Sequence, residues 1–190
     1  MRVLHVKSVA ALLFCACLSS SAYASTAYMT AGIGQSSVGV APQIQNGGIA
    51  FDVGYGVREN SNFAIEGGVD GFNSKSLTGS SVTSGQAYGA YLDAVGVLPI
   101  EDYVDIDFPL EFTARAGLGY TTSSGNLATG NPLAASKLAP TFGFGAQYGV
   151  SKHTAIRLQW DRFKLGYNPE YTGQSTGSES IVTIGINYSF

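Results

Sequence analysis

The sequence predicts an all-β fold: an eight-stranded antiparallel transmembrane β-barrel of up-and-down topology. Three observations predict it. Segments of about ten residues with strict two-residue alternation recur along the chain, as strands with one apolar and one polar face require. Short and long connections between these segments alternate. The N-terminus reads as an export signal, while no later segment approaches the roughly 20 apolar residues of a helical span. Only closed strands are then left to cross a membrane, because backbone N–H and C=O groups must find partners away from water.

The export signal occupies residues 1–24. Arg2 and Lys7 precede an apolar run from Val9 to Leu18, and Ala22-Tyr23-Ala24 supplies the small residues of a cleavage site. Cleavage before Ser25 is expected, leaving the barrel domain at 25–190. Cys15 and Cys17, the sole cysteines, fall inside the signal, and Phe14-Cys15-Ala16 is a poor lead-in for lipidation of Cys17. The processed chain therefore relies on neither disulfides nor thiol ligands.

Without the signal's two basic residues, 8 basic residues face 13 acidic ones, a net charge of about −5. That balance argues against binding nucleic acid through its phosphates. Twenty-five glycines, twenty-one Tyr and Phe and only 12% charged residues suit a membrane barrel.

The first strand covers about 26–34, with Ala27, Met29, Ala31 and Ile33 on one side. The second, about 47–57, places Ile49, Phe51, Val53, Tyr55 and Val57 opposite Asp52, Gly54 and Gly56. In the third, about 63–72, Phe63, Ile65 and Val69 alternate with Glu66, Gly68 and Asp70. The fourth, about 87–98, alternates least clearly: Tyr88, Ala90 and Leu92 oppose Tyr91, Asp93 and Val95. The fifth keeps parity longest, from Val104 to Tyr120, against Asp105, Asp107, Glu111, Thr113 and Arg115. The sixth, about 139–150, sets Phe142, Phe144 and Tyr148 against Gly143, Gly145 and Gln147. The seventh, about 154–163, sets Ile156, Leu158 and Trp160 against Arg157, Gln159 and Asp161. The eighth runs from Ser180 to Phe190, with Val182, Ile184, Ile186, Tyr188 and Phe190 on one face.

Three connections are short (58–62, 99–103, 151–153), and four are long and rich in Gly, Ser and Thr (35–46, 73–86, 121–138, 164–179). An even strand number with this alternation is the arrangement of outer-membrane barrels, short turns to the periplasm. A soluble, lipocalin-like barrel would turn its apolar face inward instead. Parity alone does not choose between the faces. Acidic and Arg residues packed with glycine on one of them favour a polar interior and a lipid-facing exterior, in the outer membrane of a Gram-negative bacterium.

Two stretches, VGYGVRENSNFAIEGGVDGF at 53–72 and APTFGFGAQYGVSKHTAIRLQW at 139–160, resemble hairpins of the OmpA-like eight-stranded outer-membrane β-barrel domain. The ending INYSF resembles that domain's closing strand. The resemblance implies that Phe190 and Tyr188 form the assembly signal read by the barrel-insertion machinery. It also implies an ion-pair network closing the lumen, in which Glu66 and Arg157 match two members. Val95 stands where a lysine is expected, and Gln147 where a glutamate is expected. The pair then either satisfies itself inside a filled core or gates the lumen. Because the sequence ends at Phe190, the periplasmic peptidoglycan-binding domain of full-length relatives is expected to be missing.

No catalytic set emerges, and the protein is not expected to be an enzyme. Nucleophilic chemistry needs a nucleophile beside a base. His153, the sole histidine after the signal, lies in the turn Ser151-Lys152-His153 with no partner carboxylate. The carboxylates of Glu101, Asp102, Asp105 and Asp107 lack the turn glycine and closing Glu of a calcium loop. No metal or cofactor is expected, and no Gly-Lys-Ser/Thr phosphate loop occurs. The long loops remain, with Ser36-Ser37, Thr121–Ser124 and above all Tyr167 and Tyr171 beside Pro169 as contact residues. The expected role is structural or surface-interacting and adhesin-like, the lumen being filled by side chains. The alternative is a narrow, porin-like pore of low conductance for ions or small solutes. Expected partners are outer-membrane lipid, the insertion machinery and a cell-surface ligand.

Overall fold

The computed structural model describes residues 26–40, 43–75, 82–104, 109–127, 132–166 and 176–190. The export signal, Tyr167, Tyr171, Asp105 and Asp107 lie outside the described residues. Eight strands, β1 (Thr26–Val40), β2 (Gln43–Asn60), β3 (Phe63–Lys75), β4 (Val82–Pro99), β5 (Leu110–Leu127), β6 (Pro132–Gly149), β7 (Thr154–Gly166) and β8 (Thr176–Ser189), follow in order. Each pairs antiparallel with the next, and β8 pairs with β1 to close the barrel. Closure leaves no strand with an unpaired edge, which is what a hydrocarbon environment demands.

Alternation settles which face is which. Ile33, Ile49 and Phe144 on the outward face are 68%, 72% and 61% exposed, whereas Glu66 and Glu179 on the inward face are fully buried. A soluble barrel has the opposite arrangement. Val57 shares the outward parity but is covered, lying between Ala27 and Ile65 in the register.

Two boundaries differ from the sequence-based expectation. Strand β5 begins at Leu110, not at Val104. Pro109 has no N–H to give to a ladder, and the chain before it folds as a 3-10 turn at Ile100–Asp102. The Tyr103 and Val104 amides donate to the Ile100 carbonyl at 3.0 and 3.1 Å. The four long connections are also shorter than expected. Pairing continues to Val40 with Gln43 and to Asn126 with Pro132, so only 41–42, 76–81, 128–131 and 167–175 lie between strands. Above the apolar band both faces of a strand meet polar surroundings, and Ser, Thr and Gly fill them without alternation. The backbone ladder needs no such pattern to continue. Ser36 and Thr121, expected in loops, are thus buried strand residues.

Glycine is placed to receive the lumen's large side chains. Five inward carboxylates each face a glycine across the ladder: Asp52 with Gly32, Glu66 with Gly56, Asp70 with Gly89, Asp93 with Gly117 and Asp161 with Gly143. At Gly143 the Asp161 carboxylate, and at Gly56 the Tyr28 ring, occupy the space a Cβ would need. An eight-stranded interior is narrow, and this pairing makes room for charged groups inside it.

Candidate functional site

The lumen holds the described chemistry, and Glu66 is its centre. From β3 its Oε2 accepts from Arg157 Nη1 at 2.8 Å, and its Oε1 accepts from Arg157 Nη2 at 3.2 Å. This is the two-pronged arrangement that a planar guanidinium favours. Strands β3 and β7 run the same way and stand on opposite walls, and Glu66 and Arg157 are each the fourth residue of their strand. The structure therefore brings the two resemblance-implied residues together across the barrel.

It adds a second cation that the sequence reading passed over. Arg115 on β5 donates to Glu66 Oε1 at 2.8 Å, to Asp161 Oδ1 at 2.6 Å, and lies 3.5 Å from Asp93 Oδ2. Its guanidinium carbon lies 4.6 Å from the centre of the Tyr91 ring. Tyr91 and Tyr28 each donate their hydroxyl to Glu66 at 3.0 Å. Gln159 completes a closed circuit: it accepts from Arg157 Nε at 3.2 Å and donates to Asp161 at 2.9 Å. Glu66, Arg157, Gln159, Asp161 and Arg115 thus form one ring, buried throughout. Fully satisfied, such a network fixes every member's position.

Polar and apolar layers flank this ring. On the turn side Tyr28, Ala64, Val95 and Val97 pack together. Val95 therefore belongs to an apolar layer. At the mouth beyond, Arg58 donates to Glu111 at 2.8 and 3.2 Å, reaching from β2 to β5. Gln147 donates to Glu111 and accepts from Asn187 at 3.0 Å. Its amide is thus engaged with neutral and acidic partners, and it offers Arg157 no second carboxylate. A cavity of about 160 Å³ opens at this mouth and ends on Glu66 and Arg157.

On the hairpin side, six residues beyond Glu66 and Arg157, stand Phe72 and Phe163. With Ala50, Ala87 and Ile181 they form a second buried apolar layer. At about 3.3 Å per residue and a strand tilt near 40°, this layer lies roughly 15 Å from the ring. The lumen is therefore crossed twice, once by charges held in a circuit and once by packed hydrocarbon.

The remaining sequence-predicted residues lie outside the ring, with His153 and Glu101 at the rim of the cavity mouth. His153 is exposed in its turn, its Nδ1 3.0 Å from the Ser189 carbonyl. Glu101 and Asp102 are exposed on the 3-10 turn. Among the described residues no group of three or more His, Cys, Asp or Glu is placed to hold a metal ion. Tyr188 and Phe190 lie on the outer wall at the turn end, ring centres 5.4 Å apart, and the Phe190 amide donates to the Ala27 carbonyl at 3.0 Å.

A closed eight-stranded barrel with an apolar outer wall and a filled polar lumen is an outer-membrane barrel protein. The chain belongs to the outer membrane protein beta-barrel domain family, which it matches over residues 8–190. No curated protein matches it in sequence. Among solved structures it is similar to Neisserial surface protein A, at 15% identity and a TM-score of 0.66, over 88% of this chain and 100% of that one. It is similar to Ail, the attachment invasion locus protein of Yersinia pestis, at 14% identity and a TM-score of 0.59, over 87% and 98%. The N-terminal barrel of Pseudomonas aeruginosa OprF is also similar, at 12% identity and a TM-score of 0.56, over 87% and 97%. At these identities the likeness is one of fold. The protein resides in the outer membrane, with its turn end facing the periplasm and its hairpins the exterior.

Proposed function

We propose that the protein is a sealed barrel whose role is structural or exercised at the cell surface, in an adhesin-like manner, by its extracellular hairpins. The double closure of the lumen carries this reading. A solute entering from the periplasm meets the Glu66 ring at the end of a blind cavity, and the Phe72 and Phe163 layer stands beyond it. A pore would need both to part. The hairpins, in contrast, are strand-paired well beyond the apolar band and present their tips on a rigid support. A non-enzymatic role fits a lumen whose central charges, Glu66, Arg115, Arg157 and Asp161, are held by one another.

The experiment is to exchange residues 41–42, 76–81, 128–131 and 167–175, with the strand ends beside them, for two-residue Asn-Gly turns. Asn-Gly supports the tight hairpin geometry. The barrel is expected to fold unchanged while binding to host-cell surfaces falls to background. Undiminished binding by the trimmed barrel would contradict a role carried by the hairpins.

We also propose that Phe190 and Tyr188 act as the assembly signal. Phe190 is 64% exposed at the periplasmic rim, accessible to the insertion machinery, while its amide still pairs with β1. Deleting Phe190 should reduce outer-membrane insertion far more than Phe190→Tyr or Phe190→Trp. Equal insertion of all three variants, measured by fractionation and heat-modifiable gel mobility, would count against a signal read through the aromatic ring.

A further inference from the structure

The barrel's charges are sorted by face. Every described carboxylate on a strand points into the lumen or, like Glu59, sits at the periplasmic end. Arg115 and Arg157 are also inside. Among the described side chains, the outer wall of the extracellular half carries charge only at Arg162 and Lys164, both exposed on β7. A chain with an acidic excess thus shows a purely basic spot to its surroundings at the outer-leaflet border.

The spot has a defined shape. Arg162 and Lys164 are alternate residues on one strand face, about 7 Å apart along the strand. In the register Arg162 faces Ser180, and Lys164 faces Ser178. Arg162 Nη2 donates to Ser178 Oγ at 3.2 Å, so its guanidinium leans toward the hydroxyl opposite Lys164. Neither cation lies within ion-pair distance of a carboxylate among the described residues. Directly toward the membrane, Trp160 stacks on Phe144 at 6.2 Å and meets Phe142 edge-on at 5.8 Å. Aromatic rings of this kind settle at the headgroup level, with hydrocarbon below and polar groups above.

We propose that Arg162 and Lys164, with the Ser178 hydroxyl, bind a phosphate of a phosphorylated outer-leaflet glycolipid of the lipid A type, whose acyl chains lie along Trp160 and its neighbours. Arg and Lys are the two side chains suited to phosphate, the one as a fork and the other as a point charge. The aromatic shelf commits the site to a lipid-borne phosphate, because a free anion gains nothing from hydrocarbon beneath it.

The test uses the barrel in phosphatidylcholine nanodiscs doped with bisphosphorylated or dephosphorylated lipid A, with retained lipid counted by native mass spectrometry. Wild type is expected to retain the phosphorylated form selectively, and Arg162→Gln with Lys164→Gln to lose about tenfold of that retention. Lys152→Gln, which removes a periplasmic charge, should retain lipid as wild type does. Inorganic phosphate at millimolar concentration should not displace the lipid. Equal retention by the double variant, equal retention of the dephosphorylated lipid, or displacement by free phosphate would each overturn the proposal. Both side chains point outward, so the variants are expected to keep the wild-type urea midpoint. Should the double variant fail to fold, the single variants are read in its place, and unchanged retention in both would equally overturn it.

Discussion

Glu66→Ala is expected to destabilise the barrel more than any other single substitution in the ring of buried charges, by about 3–5 kcal/mol. The substitution leaves two buried guanidinium groups without their shared carboxylate, and the Tyr28 and Tyr91 hydroxyls without their acceptor. Breaking a buried pair is costly because a charge stays behind uncompensated, and water admitted to the lumen would lower the figure. Arg157→Ala should cost less, since Glu66 keeps Arg115 and both tyrosines. The double variant should lose less than the sum of the singles, because the second removal takes away a charge already stranded. Urea unfolding from lipid vesicles measures all three. Strictly additive losses would show that Glu66 and Arg157 do not stabilise one another. Glu66→Gln separates charge from shape: it keeps an acceptor for the hydroxyls, and any loss it shows reports the missing charge.

The central pair was legible in the sequence through the family resemblance, and the strand geometry agrees with it. Both residues have inward parity, both are fourth in their strands, and strands three and seven of eight stand opposite one another. Arg115 was not legible by the same reckoning. Counted from Val104, the expected start of the fifth strand, it falls near the far end. Counted from Leu110, the observed start, it is the sixth residue and level with the ring. The alternation runs through Pro109 without a break in parity, and proline's missing N–H is the signal that the ladder begins after it. Tyr28 gave little warning, since its strand alternates small residues in which a tyrosine does not stand out. The extent of the hairpins was hidden because alternation marks only where one face meets lipid.

The seal itself follows from two independent layers, and its loss should require removing both. Phe72→Ala with Phe163→Ala empties the outer layer, at about 3–5 kcal/mol of stability for each ring. The ring around Glu66 lies apart from that layer and should hold the lumen closed to ions. Adding Glu66→Ala to that pair should open a continuous path, and current should appear only then. Folded protein must be confirmed for each variant before it is read.

Conductance of the wild-type barrel in a planar bilayer, before and after exchange of the hairpins for Asn-Gly turns, tests the sealed-barrel reading most directly. Both forms are expected to pass no more current than the protein-free bilayer, since the closure lies in the lumen and not in the hairpins. Sustained channel openings in the folded wild type would contradict it.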